Sequence, residues 1–132
     1  MTRVGQSNLW YNKFMTDVVS KNLNSKDKSW TFLDGSTRTA VILETVAIGR
    51  GTYLPGWKWS EHVGKQTGKK SQVHIGYIIS GQMEVFTDGD KKIIIGPGDA
   101  FEVSPGHDAW VIGNEQCIAL DFEHLEKKLG KR

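Results

Sequence analysis

The chain has 132 residues, with 17 Lys plus Arg against 15 Asp plus Glu, four His, one Cys and three Pro. That is the size of one domain, long enough to bury a core without disulfides or a structural metal. Cys117 alone excludes an intrachain disulfide, and a net charge of +2, drawn partly from Lys127, Lys128, Lys131 and Arg132, is too small and local to point to nucleic acid.

No apolar run approaches the roughly 20 residues a membrane span needs. Residues 1–10 show no apolar core or cleavage pattern, so no secretory leader is expected and the cytoplasm is the expected location. Over residues 7–23, Leu9, Trp10, Phe14, Met15, Val18, Val19 and Leu23 recur at three- and four-residue intervals, with Ser7 placed as an N-cap. This spacing predicts an amphipathic α-helix. Residues 22–29 are rich in Asn, Ser, Lys and Asp and read as a loop.

The rhythm then changes to short Val-, Ile-, Thr- and Phe-rich segments divided by glycine turns, which predicts β-structure. Strands are expected over 37–48, as one bulged strand, and over 52–62, 73–80, 82–87, 91–95, 100–103, 109–112 and 116–122. Asp88 and Gly89 form a two-residue hairpin signal, so the strands around them should be antiparallel. Residues 63–71, VGKQTGKKS, read as a basic surface loop placed to gate the barrel mouth. The expected organisation is a helix and linker over 1–30, a β-barrel over 31–125 and a basic tail over 126–132. Closure into a barrel or jelly roll removes exposed strand edges.

Two segments are distinctive together. Residues 51–81 contain PGWKWSEH and HIGYIISG, and residues 96–110 read GPGDAFEVSPGHDAW. Together they resemble the paired motifs of the cupin superfamily, over about residues 49–122. The resemblance implies an all-β, cupin-like jelly-roll barrel, here with an N-terminal α-helix, and the family habit implies a homodimer.

At the family's metal-binding positions this chain has Trp57, Trp59, His74 and Ala109. An indole N–H only donates and cannot ligate a cation. If the alignment holds on a continuous strand, Trp57, Trp59 and Glu61 point into the barrel while Lys58, Ser60 and His62 point away. The expected ligand pocket is lined by Trp57, Trp59, His74 and Trp110 and takes a small apolar or aromatic molecule. The alternative is a metal-dependent enzyme of oxygenase or isomerase type. In it His62, His74 and His107, with Glu61 as a further carboxylate, hold zinc, iron, nickel or copper.

Cys117 lies in the apolar run EQCIALDF and reads as a buried inert thiol. Glu84, Asp99, Glu102 and Asp121 are scattered and read as solvated or turn carboxylates.

Overall fold

A computed structural model describes residues 18–87 and 90–125. The described residues build β1 (Lys28–Thr31), β2 (Thr37–Ile42), β3 (Val46–Tyr53), β4 (His74–Ser80), β5 (Gln82–Phe86), β6 (Lys92–Ile95), β7 (Ala100–Val103), β8 (Asp108–Ile112) and β9 (Cys117–His124). One sheet has the order β1-β2-β3-β9-β4-β7 and the other β6-β5-β8, with antiparallel pairing throughout. From β6 onward the chain alternates between the two sheets, which makes a jelly roll. Among the described residues no helix is long and apolar enough to cross a membrane.

The core lies between the sheets because each strand alternates its side chains between faces. Ile78, Cys117 and Ala119 of the larger sheet meet Met83, Val85, Ile95, Ala109 and Val111 of the smaller. Each Ile, Val or Met buried this way stabilises the fold by roughly 1.5–3 kcal/mol.

The chain's three prolines are Pro55, Pro97 and Pro105, and each is followed by a glycine at positive φ: Gly56 at 88°, Gly98 at 91° and Gly106 at 86°. Proline fixes the first corner of a type II turn and glycine supplies the left-handed second corner. Pro55 and Gly56 turn the chain, with the Trp57 N–H donating to the Leu54 carbonyl at 2.9 Å. Gly96 to Asp99 closes in the same way at 2.9 Å, and the Asp99 carboxylate accepts the Gly96 N–H at 2.8 Å. Asp99 is thus a turn carboxylate, as the sequence suggests.

Several expectations need correction. The segment 37–48 is two strands, because the chain reverses at 43–45 and the Leu43 N–H donates to the Val46 carbonyl at 2.9 Å. The strand expected over 52–62 ends at Tyr53. Beyond the Pro55–Gly56 turn, Ser60–Gly64 forms a π-helical turn and Lys65–Thr67 an α-helical one, stopped by Gly68 at φ 70°.

The loop expected over 63–71 is therefore helical in its first half, and its end is pinned. The Ser71 hydroxyl donates to the His107 carbonyl at 2.8 Å, and the Ser71 carbonyl accepts the Gly106 N–H at 3.2 Å. Residues 22–25 do form a turn held by the Asn22 side chain, but β1 begins at Lys28, inside the stretch expected as loop and linker. Of the helix expected over 7–23, residues 7–17 lie outside the described residues, and 18–23 are not helical. Asp88 and Gly89 also lie outside them. The strands that they join are antiparallel, and the neighbouring Asp90 carries a positive φ of 63°.

Candidate functional site

The inner face of the larger sheet has a row of five residues on adjacent strands. Ala40 pairs with Gly49, Gly49 with Asp121, Asp121 with Gly76, and Gly76 with Phe101. Asp121 is thus flanked by two glycines, which leaves a bare floor on either side of its carboxylate. Glycine inside a strand marks a close approach by another group. A Cβ at Gly49 would collide with the Arg38 guanidinium and the Asp121 carboxylate, and one at Gly51 with the Tyr53 ring. At Gly76 it would collide with the Leu120 carbonyl and the Phe101 ring.

Over this floor Arg38 of β2 reaches across β3 to β9 and grips Asp121 with the Nε and Nη2 side of its guanidinium, the Nε–H donating to Oδ2 at 2.9 Å and Nη2 to Oδ1. Both side chains are mostly buried. The outer face of the guanidinium lies 4.8 Å from the Trp30 ring centroid, a cation–π contact. The expectation that Asp121 is a solvated carboxylate is therefore overturned. Strand parity places it inward, and Arg38 neutralises it.

Above the ion pair stands a cluster of rings. Tyr53 stacks on Phe32 at 6.4 Å and tilts against Trp57 at 4.3 Å. Burial pushes the Tyr53 phenol well above its ordinary pKa of 10, and the nearby Asp121 charge pushes the same way, so it remains a neutral phenol. Trp57 is 4% exposed, and its Nε1–H has no hydrogen-bond partner among the described residues.

Trp57 is carried inward by the smaller sheet, because its carbonyl accepts the Val111 N–H at 2.9 Å and Lys58 bridges Trp110. The rings, with Trp59, Val63, Val103, Phe101 and His74, line a cavity of about 690 Å³.

His74 and His107 meet edge to face in this cavity with ring centroids 5.2 Å apart. The His107 Nδ1 lies 2.8 Å from the Ser104 carbonyl oxygen. A carbonyl only accepts, so Nδ1 carries a proton and donates it to that oxygen. Desolvation and the neighbouring His107 lower the pKa of His74, which keeps its imidazole neutral.

The sequence-expected site is thus partly assembled. Trp57, Trp59 and His74 line the cavity. Trp110 does not: Ala109 and Val111 face inward, so Trp110 between them must face outward. There its Nε1–H donates to Glu84 at 3.1 Å and Lys58 lies over its ring. Glu84, expected to be a solvated carboxylate, is that partner.

The three-histidine metal set is not brought together. The His62 Nδ1 accepts the Lys58 N–H at 3.0 Å on the helical turn, away from the cavity, while the exposed Glu61 pairs with Lys65 at 3.0 Å. The expected inward direction of Glu61 failed because the strand that would have set it ends at Tyr53. Among the described residues no group of three His, Cys, Asp or Glu could hold a metal ion. The donors do not fit the metal that the fold family implies: two imidazoles face each other, and the nearest carboxylate is bound to Arg38. Asp108, next to His107, accepts the Ser60 N–H at 3.0 Å and its hydroxyl at 2.8 Å, and so fastens the helical turn.

Sequence reasoning missed Arg38, Tyr53 and Asp121 as site residues. The alternation Gly49-Arg50-Gly51-Thr52-Tyr53 was the available signal, since two glycines at inward positions of one strand imply that something crosses them. Cys117 is fully buried, as expected, and burial pushes its thiol up to about 11.

Residues 56–119 match the family model of the EutQ-like cupin domain. Among solved structures the chain is similar to KdgF from Halomonas sp., with a TM-score of 0.59 and 22% identity, covering 81% of this chain and 94% of that one. It is also similar to the polyketide cyclase RemF from Streptomyces resistomycificus, with a TM-score of 0.58 and 14% identity, covering 81% and 79%. A DUF1255 protein of unknown function from Acinetobacter sp. ADP1 gives 0.53 and 20%, covering 76% and 90%. At these identities the likeness is one of fold. No curated protein matches the sequence.

Proposed function

Because the chain belongs to the cupin superfamily, whose barrels host unrelated activities, we propose its function from the site itself: it binds a small, largely apolar molecule inside the barrel. The observation that carries this reading is the cavity of about 690 Å³ walled by Phe32, Tyr53, Trp57, Trp59 and Phe101. A concave, mostly apolar space with a few convergent polar groups is the usual make-up of a ligand site. His74 and the Nε2 of His107 supply the polar end.

Trp59 is the reporter of choice, since it lines the cavity and is only half-buried. A screen of planar apolar compounds against intrinsic fluorescence should give a saturable response that weakens in Trp59→Ala. Protein purified without an affinity tag should carry no stoichiometric metal. Stoichiometric zinc, iron, nickel or copper that is lost in His74→Ala would overturn the proposal in favour of a metal-dependent enzyme.

A further inference from the structure

We propose that the Arg38–Asp121 ion pair makes the cavity selective for an uncharged ligand, with Asp121 as the residue that sets this selectivity. The inference rests on the ligand-binding reading above and adds the chemical class of the ligand.

The charged side chains lining the cavity, among the described residues, are Arg38, Asp121 and Glu123, besides the histidines His74, His107 and His124. Arg38 is the one fixed cation in that set. The fork formed by its Nε and Nη2 is already spent on Asp121 through two hydrogen bonds, which leaves the Nη1 end, and the guanidinium lies over Trp30. A guanidinium recognises carboxylates and phosphates best through such a fork, and with its charge already balanced by Asp121 an anionic ligand meets no net countercharge there.

His74 adds little positive charge, since partial desolvation and the adjoining His107 ring lower its pKa. A cationic ligand fares little better, because Asp121 is neutralised and Glu123 is exposed near the mouth. Leaving a charge in a ring-lined space without a partner is costly, whereas an uncharged aromatic loses only weak hydration.

The experiment measures binding of three matched probes to the full chain: naphthalene-2-carboxamide, 2-naphthoate and 2-naphthylmethylammonium. The amide should bind tightest. Asp121→Asn frees the Arg38 fork, so 2-naphthoate should gain roughly tenfold or more relative to the amide, as expected for a restored charge-assisted pair. The double variant Arg38→Gln/Asp121→Asn carries neither charge and should keep the amide ahead of the carboxylate.

If Asp121→Asn does not fold, the order of the three probes on the native protein and on the double variant still decides. Tightest binding of either charged probe to the native protein overturns the selectivity and leaves the ligand-binding reading standing. An unchanged amide-to-carboxylate ratio in folded Asp121→Asn removes Asp121 from the role. If none of the three binds, both readings fall together.

Discussion

The Trp57 carbonyl accepts the Val111 N–H at 2.9 Å, and this bond joins a residue just past a turn to β8, at the edge of the smaller sheet. It converts the Pro55–Gly56 reversal into one more rung beside β8. Trp57 consequently enters the core among Val85, Ala109 and Val111.

Trp57→Ala should therefore destabilise the fold by about 3–5 kcal/mol, the range for deleting a large buried aromatic. Trp57→Phe should cost much less than its lost volume implies. It also removes an N–H that is buried without a partner among the described residues, a group whose burial itself costs about 1–3 kcal/mol. Urea unfolding of both variants checks this; equal losses would show that the indole N–H is satisfied in solution.

Gly51→Ala should lower stability by about 1–3 kcal/mol through overpacking, because the added methyl meets the Tyr53 ring in a space closed by Phe32 and Trp57. Gly56→Ala should cost less, since among the described residues nothing beyond its chain neighbours lies within 4 Å of its Cβ position, and the positive φ is what opposes it. Thermal melts of the pair test the order.

His74 sets a pH dependence. Its native pKa lies below the ordinary 6.5, so between those two values the unfolded chain holds a proton that the folded chain lacks. Its contribution is fully present above pH 6.5 and is lost as pH falls from there toward the native value. His74→Gln should flatten this part of the stability curve. Denaturant midpoints followed from neutral to mildly acid pH give the slope, and an unaltered slope in the variant would assign it elsewhere.

Cys117 is fully buried with its thiol pushed up to about 11. A disulfide reagent at mildly alkaline pH should leave the native protein unmodified and titrate one thiol after denaturation. Rapid reaction of the folded chain would place Cys117 at an accessible surface instead.

The parts of the fold that were legible from sequence are those governed by period-two alternation between glycine turns. Strands β4 to β9 follow the expected segments to within a few residues for that reason. The segment 52–62 was misread because its apolar alternation continues across Pro55–Gly56, although that dipeptide itself marks a turn. Trp110 was misplaced by counting aromatic content over parity, since Ala109 already held the inward position. Arg38 and Asp121 were invisible as partners because they are 83 residues apart and meet only once β3 lies between them. Such a contact is written in the pairing order of the sheet, which no local window contains.

Trp30 on the edge strand β1 leans on Arg38 in β2, and Arg38 holds Asp121 two strands further in. Sheet margins ordinarily fray without consequence for the centre. Here detachment of a four-residue margin would strip Trp30 from the guanidinium and open the Arg38–Asp121 pair to water, so the hold of β1 on the sheet also sets how well that pair is shielded.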